Sequence, residues 1–266
     1  RQVLINHGLT PQEIFFYRFL IAYIGIWAIS PKHLFADNLK DELWLVAGGV
    51  FGGSLYFFTE NTALGITQAS NVAFIICTAP LLTTILSLLF YKSEKATKGL
   101  IYGSLLALIG VGLVVFNGSV VLKLSPVGDL LTLLAALSWA FYSLVIKRMT
   151  GRYPTVFITR KIFFYGVLTI LPAFLLHPLQ PDFDVLLQPL VLSNLLFLAV
   201  LASLICYILW NVVLKQLGTM RASNYIYLNP LVTMVASVLI LHEQITWITL
   251  MGAACIILGV YLAEKK

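Results

Sequence analysis

Ala69-Ser70-Asn71, then Pro80, then Glu94-Lys95-Ala96-Thr97 are answered further along the chain by Ala222-Ser223-Asn224, Pro230 and Glu243-Gln244-Ile245-Thr246. From each glutamate the match runs on without a gap. Gly103 and Gly252 lie nine residues after Glu94 and Glu243, and Gly110 and Gly259 lie sixteen after. Shared composition does not hold register over that length, so the two stretches read as copies. A weaker echo pairs Arg18 and Tyr23 with Arg160 and Tyr165, both at Arg-x-x-x-x-Tyr spacing. The sequence therefore reads as a duplication, 1–124 and 125–266, with its boundary near Lys123 to Val127.

The copies are built from apolar residues to a degree that defines their solvent. Of 266 residues, 60% are hydrophobic and 11% charged, and the mean hydropathy is +0.94. A soluble domain carries about a quarter charged residues, so lipid is the expected surrounding, and soluble enzyme folds, nucleic-acid modules and disordered chains are excluded. A helix needs about 20 apolar residues to cross the hydrocarbon core, where its backbone must satisfy itself. Nine such runs can be read, near 14–30, 43–64, 69–91, 99–121, 128–146, 156–176, 190–214, 220–241 and 246–262. The connections between them are too short for an extramembrane domain. Cys77, Cys206 and Cys255 each sit in an apolar stretch without metal or redox spacing, and read as small hydrophobes.

Corresponding runs in the two copies are five apart, an odd number, so the second copy is expected upside down in the membrane. Loop charge gives the sidedness. Lys32, Lys40, Lys92, Lys95, Lys98, Lys147, Arg148, Arg152, Lys215, Arg221, Lys265 and Lys266 fall on one side, and only Arg1 and Lys123 on the other. The positive-inside rule then makes the C-terminus cytoplasmic, in a cytoplasmic (inner) membrane, and accounts for the net charge of +6 without a nucleic-acid partner. The residues before Gln12 read as a loop. If each copy has five helices, the first lacks one, expected to precede Arg1.

Tyr17-Arg18-Phe19-Leu20-Ile21-Ala22, Gly128-Asp129-Leu130-Leu131 running through Ser138-Trp139-Ala140-Phe141-Tyr142 to Lys147-Arg148, and the Pro, Glu-x-x-Thr, Gly pattern of both halves complete a recognisable order. In these segments the chain resembles the EamA-like family of the drug/metabolite transporter superfamily, over nearly its whole length. The resemblance implies an all-α membrane protein, a polytopic bundle of two inverted five-helix repeats with ten helices expected and nine visible here. It also implies a central cavity, alternating access and export of a small organic metabolite or drug-like solute.

Among individual residues, Glu60 is the only acid well inside a predicted span. A carboxylate at that depth is costly unless paired, protonated or facing water, and marks an ion or substrate path. Its role is either proton coupling or an ion pair with Arg18, which falls at a similar depth. Asn61 and Asn211 lie deep in their spans and are candidates for the translocation cavity, as are the aromatic residues Tyr56, Trp139, Tyr142, Tyr207 and Trp210, whose plainer use is packing. Asn71 and Asn224, near span starts, read as caps or interhelical bonds. Pro80 and Pro230 sit near mid-span at matching places, where proline kinks a helix and frees carbonyls, and are read as hinges.

Gly48, Gly49, Gly52 and Gly53 form two overlapping Gly-x-x-x-Gly patterns whose ordinary use is close packing within one subunit. Glu94, Glu243 and Asp129 read as helix caps. Asp37, Asp41 and Glu42 faintly suggest the acidic metal sites of membrane prenyl transferases, but mixed with Lys32 and Lys40 they read as a solvated turn. His7, His33, His177 and His242 are scattered without ligand or triad spacing. The expectation is a secondary transporter and not an enzyme, with no cofactor and no metal. Its partners are membrane lipids, a small-molecule solute and protons as a coupling ion, and the sequence leaves the oligomeric state open. A membrane-embedded lipid or prenyl-group enzyme and a channel are the alternatives.

Overall fold

A computed structural model describes residues 2–30, 34–91, 95–116, 125–175, 178–179, 182–241 and 246–265. Glu94 and Glu243, the loop cations Arg1, Lys32, Lys92, Lys123 and Lys266, and His33, His177 and His242 lie outside the described residues. The described residues are helical with no strand: α1 (Gln2–Asn6), α2 (Pro11–Ile29), α3 (Leu39–Gly49), α4 (Leu55–Ile66), α5 (Ala69–Ile76), α6 (Ala79–Phe90), α7 (Lys98–Phe116), α8 (Pro126–Thr150), α9 (Thr155–Ile170), α10 (Phe183–Leu186), α11 (Pro189–Leu196), α12 (Cys206–Leu217), α13 (Thr219–Asn224), α14 (Asn229–Leu241) and α15 (Trp247–Glu264). Wider π-helical turns, Val50–Ser54 and Phe197–Ile205, join α3 to α4 and α11 to α12, and 3-10 turns follow α9 and α13.

Among the described residues, seven helical runs have the length and apolarity to cross a membrane. The other two runs expected to span, 43–64 and 220–241, fall on α3 to α4 and α13 to α14. The opening residues differ from the expected loop: Gln2–Asn6 forms a short helix against α11, with Leu4 fully buried.

The chain divides into two compact units, each taking segments from both halves of the sequence. Unit 1 comprises Arg1–Asn61 and Phe141–Gln216, and unit 2 comprises Thr62–Ala140 and Leu217–Lys266. In unit 1, α2 starts on a capping box in which Thr10 and Glu13 satisfy each other's backbone N–H, with Pro11 in the first turn. Phe15, Phe19, Ala22 and Ile26 then recur at helical spacing and are buried against α9 and the second π segment. The glycines of α3 and the first π segment admit those neighbours. A Cβ added at Gly49 would lie 2.5 Å from Tyr165 Cβ, and one at Gly52 would lie 2.3 Å from the Tyr142 ring. The Gly-x-x-x-Gly spacing thus serves packing inside this unit.

In unit 2 the closest packing is between α7 and α15, which run antiparallel. A Cβ on Gly103 would lie 2.4 Å from the Gly259 carbonyl oxygen, and one on Gly259 would lie 2.5 Å from that of Gly103. Gly110 and Gly252 make the same reciprocal approach, at 2.6 and 2.8 Å. These are the glycines that keep register in the sequence match, each meeting the other's copy. Two interrupted helices accompany them. Pro80 is the second residue of α6, after a break at Cys77 and Thr78, and Pro230 is the second residue of α14, after a 3-10 turn. Buried bonds tie their segments together: Ser87 to Thr219 at 2.8 Å, and Ser104 Oγ donating to Asn224 Oδ1 at 2.9 Å. Asn224 is therefore used between helices and not as a cap. The caps at the matching sites are threonines: Thr97 accepts from the Leu100 N–H, and Thr246 from the Thr249 N–H. Asp129 does cap, accepting from the Ser125 N–H and from Thr67.

Candidate functional site

The polar side chains inside unit 1 gather where the two π segments end. A π turn leaves one backbone carbonyl displaced from the regular ladder, and such turns concentrate at functional sites. The two are closed in the same way: the Leu55 N–H donates to Val50 O, and the Cys206 N–H to Leu201 O, positions 151 apart. The same offset relates Tyr56 to Tyr207 and Glu60 to Asn211. Each π segment thus leads into a 12-residue helix bearing tyrosine in its first turn and a polar residue one turn later.

On α12, Asn211 is fully buried and fully used: its Oδ1 accepts from Tyr142 Oη at 2.7 Å, and its Nδ2 donates to Thr159 Oγ1 at 2.9 Å. Thr159 passes the chain on to the Thr155 carbonyl at 2.9 Å. Tyr207 donates across to the carbonyl of Gly52, in the other π segment, at 2.5 Å. Its ring meets Phe19, Phe163 and Tyr142 at centroid separations of 5.4 to 6.0 Å. On α4, Tyr56 donates to Glu60 at 3.4 Å. Arg18 donates from Nε to Ser203 Oγ at 2.8 Å and from Nη2 to the Ala202 carbonyl at 3.4 Å, with its guanidinium 4.8 Å from the Phe57 ring centroid. Tyr207 lies within electrostatic reach of both Arg18 and Glu60.

Unit 1 therefore brings together Arg18, Tyr56, Glu60, Tyr142, Tyr207 and Asn211. Asn61 lies beside this group, against Gln12, Phe15, Phe57 and Phe58, and Trp210 is half-buried on α12 next to Asn211. Trp139, Pro80 and Pro230 belong to unit 2. A depression of about 940 Å³ opens at the Thr10 end of unit 1, lined by His7, Glu13, Tyr17, Asp182 and Asp184, away from these residues.

The opposite end of unit 1 carries a second cluster. Lys161, almost wholly buried on α9, pairs with Glu42, which also accepts from Tyr165 Oη and the Ala36 N–H. The Lys161 ammonium lies 4.7 Å from the Phe35 ring centroid and 5.0 Å from that of Tyr165. Arg160 donates to the Ser30 carbonyl at the end of α2. Asp41 is 1% exposed and takes Arg152 Nη1 on both oxygens, at 2.8 and 3.0 Å, with Tyr153 Oη at 3.1 Å and Asn38 Nδ2 at 2.9 Å. Burial of the Asp41 carboxyl opposes its charge, but the hydrogen bonds from Arg152, Asn38 and Tyr153 and the Arg152 charge outweigh it and hold the pKa below the usual carboxylate value. Burial likewise opposes charge on Glu42, and Lys161 and Tyr165 lower its pKa on balance. The expected solvated turn at Asp41 and Glu42 is therefore a buried ionic clamp, and cation donors occupy the oxygens a metal would need.

The EamA-like transporter family model matches residues 2–116 and again 126–264. The chain belongs to the EamA-like transporter family. It is a multi-pass membrane protein and a membrane transporter, as the family and the seven apolar membrane-length helices among the described residues support. It is 28% identical to an uncharacterized transporter of Archaeoglobus fulgidus, covering 97% of this chain and 89% of that one. It is 30% identical to the uncharacterized transporter YyaM of Bacillus subtilis, over 81% of this chain and 70% of YyaM. It is 26% identical to a probable amino-acid metabolite efflux pump of Salmonella typhimurium, over 96% and 86%. A solved crystal structure at 17% identity shares the fold with a TM-score of 0.80, covering 96% of this chain and 89% of that one.

For this EamA-like transporter, sequence reasoning passed over Thr159, Lys161, Tyr165 and the structural use of Asp41 and Glu42. Arg160-Lys161, two adjacent cations inside the predicted span 156–176, were the available signal, because ionisable groups at such positions demand partners.

Proposed function

We propose that the protein is a secondary carrier that moves a small organic solute across a cytoplasmic membrane by alternating access, in the export direction, with its C-terminus cytoplasmic. The observation that carries this reading is the paired π segments of unit 1, each followed by Tyr-x-x-x-Glu or Tyr-x-x-x-Asn inside a long apolar helical run, with Tyr207 and Asn211 buried and Tyr56 and Glu60 half-buried. Buried polar groups on interrupted helices are how carriers offer a solute hydrogen bonds within hydrocarbon. Two inverted repeats, 1–124 and 125–266, support the same reading: the reciprocal approach of Gly103 to Gly259 and Gly110 to Gly252 is what a two-fold axis in the membrane plane produces. Tyr56, Glu60, Asn61, Tyr142, Tyr207, Trp210 and Asn211 form the solute path of unit 1 in this reading. Pro80 and Pro230, each opening a half-helix, are its hinges.

Glu60 is the proposed proton-coupling group, with Arg18 adjusting its charge. Amino-acid metabolites are the first solutes to test, given the name of the Salmonella typhimurium relative. Ligand-induced thermal stabilisation across amino acids, nucleosides, sugars and amphiphilic cations identifies the solute, because a ligand bound to the folded state raises Tm with its concentration over Kd. Proteoliposome uptake of that solute is then expected to depend on pH in the native protein and to lose this dependence in Glu60→Gln while exchange persists. Unchanged pH dependence in Glu60→Gln sinks the coupling role.

A further inference from the structure

Two tyrosines at equivalent positions make different bonds. Tyr207 reaches across to the Gly52 carbonyl in the first π segment, whereas Tyr56 turns along its own helix to Glu60. The residue equivalent to Gly52, at the same offset of 151, is Ser203 in the second π segment. Ser203 is engaged differently: its hydroxyl accepts from Arg18 Nε and donates to the Leu198 carbonyl, and its own carbonyl faces the Cys206 N–H. On one side of the pair Tyr207 holds a carbonyl of the facing segment, and on the other Tyr56 holds Glu60 while Ser203 holds Arg18.

Resting on the inverted-repeat carrier reading above, we infer that these two tyrosines are alternating latches, with Tyr207 on the Gly52 carbonyl holding the state seen here and Tyr56 on the Ser203 carbonyl holding the opposite-facing state. The argument is one of symmetry. If two equivalent segments adopt unlike conformations, exchanging those conformations gives a second state of the same chain in which the other tyrosine makes the phenol-to-carbonyl bond. In that exchange Tyr207 leaves Gly52 and turns along α12 toward Asn211, as Tyr56 now turns toward Glu60. Tyr56 leaves Glu60 and takes the carbonyl at Ser203, and Arg18 releases the Ser203 hydroxyl. Each latch is one hydrogen bond from a phenol to a carbonyl inside a π segment, using a second lone pair of that oxygen. The exchange also frees Glu60 from its tyrosine in one state only, which ties a carboxylate's partner to the direction the carrier faces.

The test is hydrogen exchange of the full chain in lipid nanodiscs, read at the two ends of unit 1, around Thr10 to Glu13 and around Asn38 to Glu42. Tyr207→Phe removes the latch of the present state and keeps the ring, so exchange is expected to rise at one end and fall at the other. Tyr56→Phe is expected to shift both ends in the opposite sense, and the double variant to return toward the native pattern. Shifts of the same sign, no shift in either variant, or a uniform rise in Tyr207→Phe with lowered Tm would each assign Tyr207 to static packing and overturn the latch. Counterflow by the native protein, measured in proteoliposomes with the solute found by thermal stabilisation, separates the two readings. Counterflow without opposed shifts retires the latch alone, and absence of counterflow retires the carrier reading with it.

Discussion

The α7 to α15 crossing of unit 2 and the π-segment seam of unit 1 solve opposite problems with duplicated sequence. At the crossing, four glycines bring backbone against backbone, and no side-chain chemistry takes part. At the seam the duplicated positions have diverged, glutamate on one side and asparagine on the other, and side chains bond from helix to helix, with Asn211 tied to Tyr142 and to Thr159. In lipid, apolar side chains gain little by leaving their solvent, so close approach of small residues supplies helix association. The crossing is thus the part that keeps its symmetry, and the seam the part free to break it.

The largest effect is expected from breaking the crossing. Gly103→Leu and Gly110→Leu each drive a side chain into the carbonyl of the facing helix, at a cost of roughly 3 kcal/mol or more. The double variant is expected to lose the monodisperse folded peak in size-exclusion chromatography. A double variant of native Tm would mean that α7 and α15 do not meet through these residues. Next comes the clamp at the other end of unit 1. Lys161→Met strands Glu42 without its cation and is expected to lower stability by about 3 to 5 kcal/mol, read as Tm. Adding Glu42→Gln is expected to restore most of that loss, which a purely steric effect of methionine would not allow.

Much of the first region was legible in the sequence and little of the second. Gly103, Gly110, Gly252 and Gly259 stand out because an antiparallel contact between copies tolerates the same small residue at the same register. The interruption at Pro80 and Pro230 was legible for the same reason, since proline has a single backbone consequence. The π turns have no composition signal: they are a shift of backbone hydrogen bonds by one residue, and Val50–Ser54 reads as ordinary apolar helix. Asn211 stands out as a polar residue inside an apolar run, but its partners Tyr142 and Thr159 come from other helices far along the chain. Asp41 and Glu42 looked solvated because their cations, Arg152 and Lys161, are equally distant in sequence.

Smaller changes sharpen the comparison. Asn211→Leu leaves Tyr142 and Thr159 buried without their amide and is expected to cost roughly 1 to 3 kcal/mol. Solute-induced stabilisation is expected to disappear with it, whereas a crossing variant mild enough to fold, such as Ala107→Gly beside Gly259, is expected to keep it. A ligand shift lost in both would dissolve the distinction between the regions. The smallest effect concerns acid. Because the Asp41 pKa is lowered in the folded protein, its contribution to stability is fully present above the unfolded value, near pH 4, and is lost as pH falls through the folded value. Asp41→Asn is therefore expected to lower Tm at neutral pH and to flatten its decline below about pH 4. An unchanged slope would place the acid sensitivity elsewhere.

Counterflow in proteoliposomes tests the central claim most directly, using the solute that gives the largest thermal shift. A carrier with alternating access predicts a transient overshoot of labelled solute inside vesicles preloaded with unlabelled solute, saturable in concentration and abolished in Asn211→Leu. Monotonic, unsaturable filling without overshoot, or no solute in the panel that produces it, would contradict the account.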